Sequence, residues 1–398
     1  MYFNEQESLY ALRLHQIHGI GTRTKNKLFQ AFGTYEGIFH ASKKELVTIC
    51  AEKTAEIILN NQDMECARSY LDQLLSRKIH IVYPGHPSYP IKLLHIYDPP
   101  NLLYVRGILR ENLRIYNRCI GIVGARYPSV YGNEIAEYFA GELAKRGYTV
   151  ISGLARGIDG AAHKGALRVN GYTVAVLGCG INVTYPKEHV NLFHEIEERG
   201  AVISEYGLDE KPLSAYFPQR NRIISGMSDG VLVVEAKKKS GSLITCDRAL
   251  EQGRQVYAVP GRITDKTSEG CNDLIKQGAI CVTGVMDIVD DMEGKENAGQ
   301  MIMMLDEDAG EMVCKDDFCR ENEKKEEITI SDSLECTKNA LAPMNKIVYS
   351  CLSLDPLYID DIIQLAGIGI TKVISILYEL EEQGLIKQPL KGYYTIAL

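Results

Sequence analysis

The chain has 398 residues, 45% of them apolar and 24% charged, with a formal net charge of -8. That much apolar material supports a large core and more than one domain, and no stretch approaches the roughly 18 apolar residues of a membrane span. The acidity argues against a nucleic-acid partner only until it is divided: residues 287–340 hold 17 Asp and Glu against 6 Lys and Arg, which leaves the remainder weakly basic.

The opening residues, MYFNEQESLYALRLHQ, lack the basic patch and apolar run of an export leader, so the chain reads as cytoplasmic. Its 11 cysteines stand singly, without CxxC pairs or the spacing of a disulfide framework, and read as reduced core residues. Cys314 and Cys319 lie close together in a polar stretch, but no second pair completes a zinc site, and no metal or other cofactor is expected.

Residues 1–80 are helical in pattern and contain IHGIGTRTKNKLFQAFG. Glycines at such a turn let backbone N–H groups approach a phosphate at a helix start, with Arg23, Lys25 and Lys27 beside them. This is a helix-hairpin-helix or SAM-like signal. The proline-rich stretch 83–107 predicts an extended lead-in strand packed on the next domain. From 116 to 283 the runs CIGIVGA, YTVISG, TVAVLG, GAVISE, DGVLVVEA and QVYAVPG alternate with helical patterns. They predict a doubly wound, Rossmann-like parallel sheet, with the whole domain spanning 81–286. Ligands of such sheets bind outside the carboxyl ends of the strands. Neither the G-x-G-x-x-G of a dinucleotide site nor a Walker loop occurs.

The strand ends share cations and small residues instead: Arg126, Arg156, Lys187, the run Arg220, Asn221 and Arg222, and the cluster Ser240, Gly241 and Ser242. Glycines at the same ends, Gly124, Gly153, Gly178 and Gly180, would let backbone N–H groups join them, giving a polyanion groove. Each position also has a purely structural reading. Arg156 pairs with Asp159, Arg222 locks a helix to the sheet, and Asp159 caps a helix. No catalytic set stands beside these residues, and no enzyme is expected: Ser152, Ser204 and Ser225 lack a nucleophile elbow, His163 has no acid partner in sequence, and His189 and His194 do not share a helical face.

Residues 287–340 read as an acidic disordered linker. Residues 341–398 predict three amphipathic helices and a hairpin, a winged helix, with Ile359, Ile362, Ile363 and Leu365 facing its core and Thr371, Lys372 and Ser375 outward.

The motifs IVGAR, SGLARGIDGAAHKGAL, FPQRNRIISGMSD, GSLIT, AVPG and GCNDLIKQGA, in that order over about 83 to 283, closely resemble the DNA processing protein A (DprA, or Smf) family. The resemblance implies a single-stranded DNA binder that protects incoming strands in natural transformation and loads the RecA recombinase. It places strand binding on Arg126, Lys187 and the pocket around Arg220, Asn221 and Arg222, and implies a homodimer through Leu274 and Ile275. Two positions depart from the family pattern: Ala125 stands where serine or threonine is frequent, and His189 where asparagine is usual. The other reading is a nucleotide sensor or ribosyl hydrolase on a related fold, whose catalytic glutamate is missing from KKKSGSLITCDRAL.

Overall fold

The computed structural model describes residues 4–109 and 118–294 and, near the C-terminus, 345, 348–349, 357–359, 362–363, 370–382, 385–390 and 393–396. Contacts divide the chain into two units, Met1–Gln300 and Met301–Leu398.

The first unit opens with helices α1 (Glu5–Gln16), α2 (Thr22–Phe32), α3 (Tyr35–His40), α4 (Lys43–Ile49), α5 (Glu52–Leu59) and α6 (Glu65–Ser76). Local chemistry starts and stops them. Asn4 accepts the Glu7 N–H at the head of α1, Ser42 and Glu45 form a capping box on α4, and Gly33 ends α2 in the left-handed region. Leu14, Leu28, Tyr35, Ile38, Leu46 and Ile58 pack among the helices. Leu9, Leu12, Leu71 and Leu74, from α1 and α6, lie instead against Tyr104, Ala175 and Val202, which joins the helical region to the sheet.

The strands are β1 (His80–Val82), β2 (Leu103–Gly107), β3 (Cys119–Val123), β4 (Thr149–Ser152), β5 (Thr173–Leu177), β6 (Ala201–Ser204), β7 (Gly230–Val233), β8 (Gln255–Ala258) and β9 (Ile280–Cys281). They form one sheet in the order β1-β2-β6-β5-β4-β3-β7-β8-β9. From β6 to β9 every pairing is parallel. The six apolar runs read from the sequence are β3 to β8. The expected lead-in strand is a two-strand extension of the same sheet: β2 pairs antiparallel with β6 and β1 with β2. Prolines 84, 87, 90, 99 and 100 confine ladder pairing to the ends of that segment.

Helices cover both faces. Phe139 and Leu143 of α7 (Val130–Lys145) and Ala162 of α8 (Ile158–Arg168) pack on Ile120, Ile122 and Val150. On the same side Phe193 and Ile196 of α9 (Val190–Arg199) pack on Ala175 and Val202. The opposite face holds Ile223 and Ile224 of α10 (Tyr216–Met227), Ala249 of α11 (Gly241–Glu251) and Leu274 of α12 (Glu269–Lys276), packed on Ile151, Val174, Val231 and Val256. The two-residue period of β3 sends Ile120 and Ile122 to one cluster and Cys119 and Val123 to the other. Each such buried Val or Ile stabilises the fold by about 1.5–3 kcal/mol.

Leu274, expected with Ile275 at a dimer interface, is 8% exposed and packs into the core, with Ile275 partly buried against it. One expectation is corrected here. Residues 285–294, whose tail was assigned to the acidic linker, are helical and bury Ile288, Val289 and Met292 on the α7 face, so the sheet domain runs past 286. Residues 295–340, with Cys314 and Cys319, lie outside the described residues.

In the second unit β10 (Leu357–Tyr358), β11 (Ile386–Leu390) and β12 (Tyr393–Ile396) form an antiparallel sheet in the order β10-β12-β11. Helix α13 (Ile370–Glu382) puts Val373, Ile376, Leu377 and Leu380 into one cluster with Ile362, Ile386 and Tyr394, and Ile359 and Ile363 pack against it. Lys372 and Ser375 are exposed. Leu365 and the side chain of Thr371 lie outside what is described.

Candidate nucleic-acid interface

Strand β3 sits between β4 and β7, so the crossover through α7 leaves it on one side while the chain returns through α10 to β7 on the other. This is the switch point of a doubly wound sheet, where strand ends part and leave a crevice. A groove of about 460 Å3 opens there. Of the rim residues read from the sequence, Gly124, Arg126, Arg220, Asn221, Ser240, Gly241 and Ser242 line it, and Gly153, Arg156, Lys187 and Arg222 do not.

Arg126 follows β3 and is exposed. Its guanidinium lies 5.5 Å from the Phe217 ring centre. Among the described residues no carboxylate stands within ion-pair distance of it. Arg220, on the next turn of α10 from Phe217, is 4% exposed and lies 6.0 Å from the same ring. Its Nη1 donates to the Gly153 carbonyl at 2.8 Å and also to the Val176 carbonyl, so it ties the ends of β4 and β5 together. Its Nε has no partner. Burial works against the Arg220 charge, and the Asp159 carboxylate supports it. Burial likewise pushes the Asp159 carboxyl above its ordinary value, against the pull of Arg220. Asp159 is no N-cap. Gly157 occupies that position on α8, and the Asp159 carboxylate accepts the Gly153 N–H at 3.2 Å.

The rim glycines serve internal packing rather than ligand approach. A Cβ on Gly153 would collide with the Arg220 guanidinium, and one on Gly124 would meet Ile158 at 2.7 Å. Gly241, at the head of α11, has nothing within 4 Å of that place and is open. There Ser240 caps the helix toward Ser242, and the two hydroxyls share a 2.7 Å hydrogen bond. A helix start of this kind favours an anion.

Of the residues outside the groove, Arg156 and Arg222 are held by carboxylates. Arg156 pairs with Glu188, not with Asp159, and reaches the Tyr127 hydroxyl at 3.4 Å. That bond holds the exposed Glu188 carboxyl down at about 2. Lys187 is exposed in the turn that carries Glu188. Arg222 gives Nη2 to both oxygens of Glu205, at 2.7 and 2.8 Å, and lines a different cavity. His189 donates Nδ1–H to the Leu154 carbonyl at 3.1 Å, closing the 153–157 turn against the segment that follows β5. Sequence reasoning passed over Lys237 and Lys239, exposed lysines after β7 that line the groove. The signal was present as three consecutive lysines at a strand end.

The serines considered as nucleophiles are buried and spent on protein acceptors: Ser152 on the Ile122 carbonyl, Ser204 on the Cys179 carbonyl and Ser225 on the Gln252 amide. His163 is packed with Nδ1–H given to Thr173 Oγ1 at 2.7 Å, because that hydroxyl's own proton goes to the Val150 carbonyl. Burial pushes Cys246 and Cys271 up to about 12, which leaves them as unreactive thiols. No helix among the described residues is long and apolar enough to cross a membrane.

The fold is that of a doubly wound α/β protein, with a groove at its switch point lined by Arg126, Arg220, Lys237 and Lys239. Comparison with known proteins makes this specific. The chain belongs to the DNA recombination-mediator protein A family, whose sequence model matches residues 80–293. It is 48% identical over 215 residues to protein Smf of Escherichia coli, a match covering 54% of this chain and 57% of that protein. It is 32% identical over 395 residues to protein Smf of Synechocystis, covering 96% and 97% of the two chains. The X-ray structure of DNA processing protein A from Streptococcus pneumoniae superposes with a TM-score of 0.60 at 35% identity, over 71% of this chain and 97% of that one.

Proposed function

We propose that the protein holds single-stranded DNA along the switch-point groove, protects the strand in natural transformation and delivers it to a RecA-type recombinase. The observation that carries this reading is the charge balance of the groove. Arg126, Arg220, Lys237 and Lys239 line it against a single carboxylate, Asp159, which is buried. Cations without carboxylate partners gain by releasing counterions from a phosphate backbone. Phe217 lines the groove half-buried, with the Arg126 and Arg220 guanidiniums 5.5 and 6.0 Å from its ring centre, and aromatic rings in such grooves stack on unpaired bases, which duplex DNA cannot offer without unstacking. The name of the pneumococcal structure, DNA processing protein A, and that of the family agree with this use.

Delivery to the recombinase and homodimer formation rest on the family resemblance. With Leu274 in the core, a dimer across α12 would use Ile275. The helix-hairpin-helix reading of the N-terminal region rests on Arg23 and Lys27, exposed on α2, and the winged-helix reading on Lys372 and Ser375, exposed on α13. A nucleotide hydrolase needs a carboxylate that reaches its ligand, and the buried, hydrogen-bonded Asp159 does not suit that role.

Fluorescence anisotropy with a labelled single strand and the matching duplex, across salt, tests the reading. The single strand should bind tighter, with log K falling at a slope of about -3 against log salt for roughly four phosphates. Equal affinity for duplex at physiological salt would reject it.

A further inference from the structure

A second cavity, of about 540 Å3, lies where the helical region meets the sheet. His15 of α1, Arg23 and Lys25 of α2, Asn101 before β2, and Glu205 and Arg222 build its wall. Its buried donors are short of acceptors. Asn101 is 3% exposed and its Nδ2 has no partner. Arg222 is held through Nη2 by Glu205, but its Nη1 is unpartnered. Lys25 is 6% exposed and gives one hydrogen bond, 2.7 Å to the His15 carbonyl, although an ammonium carries three donors. Burial lowers the Lys25 amine to about 8. Burial, with Lys25 next, holds His15 down at about 4. Asp98, 3.6 Å from Arg222 Nε, and Glu210 line the cavity as acceptors, and so does Tyr206, whose ring stacks on Tyr216 at 4.0 Å.

This cavity adjoins the groove. Pro218, in the first turn of α10, lines both, so a strand lying in the groove has one residue to cross. We propose that the cavity takes one nucleotide of the strand held in the groove. Its phosphate meets Lys25 and Arg23, and its base N–H groups face Asp98 and Glu210. The inference rests on the strand-binding reading above. Contiguity through Pro218 favours a strand over a free nucleotide, which shares the phosphate chemistry.

Binding of labelled single strands of about six and about twelve nucleotides to the full chain separates the possibilities. The longer strand should bind roughly tenfold tighter, a step of about 1.4 kcal/mol. Lys25→Met and Arg23→Ala should each remove most of that gain, whereas Arg126→Ala, in the groove, should weaken both lengths. Arg23 is exposed, so its variant keeps the test open if Lys25→Met fails to fold. Survival of the length gain in folded variants overturns the cavity proposal and leaves the groove standing. Failure of wild type to bind the shorter strand rejects both readings. Deoxyadenosine monophosphate or inorganic phosphate that binds wild type but not Lys25→Met, without competing against the longer strand, assigns the cavity to a separate small ligand and also overturns the proposal.

Discussion

The switch-point groove and the cavity beneath α2 share a wall at Pro218 yet arrange charge in opposite ways. In the groove Arg126, Lys237 and Lys239 have no carboxylate within ion-pair distance among the described residues, so their field extends into solvent and is set by salt. In the cavity Arg222 lies between Glu205, at 2.7 Å, and Asp98, at 3.6 Å. What remains open there are buried donors, which act only on contact. Unneutralised charge gives a site its reach, and unmade hydrogen bonds give it its fit.

The contrast can be broken most forcefully at Arg220. Arg220→Ala removes the tie between β4 and β5 and leaves Asp159 buried without its cation, at a cost of about 3–5 kcal/mol. The melting temperature should fall by roughly 10 °C, and an unchanged melt would show that the guanidinium is not structural. Acid comes next, through two histidines kept neutral by their surroundings, His163 buried on α8 and His15 half-buried in the cavity wall. Burial, with His189 and Arg220 next, holds His163 down at about 3, and burial with Lys25 holds His15 at about 4. Both folded values lie below the unfolded value of 6.5, so the unfolded chain takes up the protons first. Stability is full above about pH 6.5 and is lost as pH falls, with His163 contributing up to about 1.4 kcal/mol per pH unit. Denaturant titrations of wild type and His163→Gln between pH 7 and 4 measure this, and parallel curves would remove His163 as the source.

A smaller effect is expected at Arg126. Arg126→Ala should weaken single-strand binding about tenfold at low salt, reduce the salt slope by about 0.7 and leave the melt in place. The smallest belongs to Arg156, paired with Glu188 on the surface. Arg156→Ala should change stability by less than about 1 kcal/mol and leave the salt slope where it was. A slope that fell as far as in Arg126→Ala would place Arg156 on the strand's path after all.

The central strands were legible because burial on both faces demands short, nearly continuous apolar runs, and β3 to β8 carry them. The lead-in segment was legible as one extended strand but not as two, because the prolines between β1, a three-residue edge strand, and β2, paired to β1 and β6, hide the break. The helical stretch at 285–294 was hidden by its acids: Ile288, Val289 and Met292 turn inward while Asp290 is exposed. In the site, the sequence located the cations at the strand ends but not their fates. Arg156 and Arg222 find Glu188 and Glu205 at separations of 32 and 17 residues, which no local pattern reports. Glycine was misleading for a related reason. The space beside Gly153 is shaped for Arg220, which comes from another element 67 residues away.

That same guanidinium has a consequence for heredity. Arg126, Lys237 and Lys239 are exposed, so alleles that alter them should accumulate as normal amounts of inactive protein. Position 220 both charges the floor of the groove and fastens the sheet. Its alleles should surface as heat-sensitive or scarce protein, cleared by proteolysis before any ligand is encountered. Quality control thus protects the deepest charge of the groove from drift, whether or not its ligand is present.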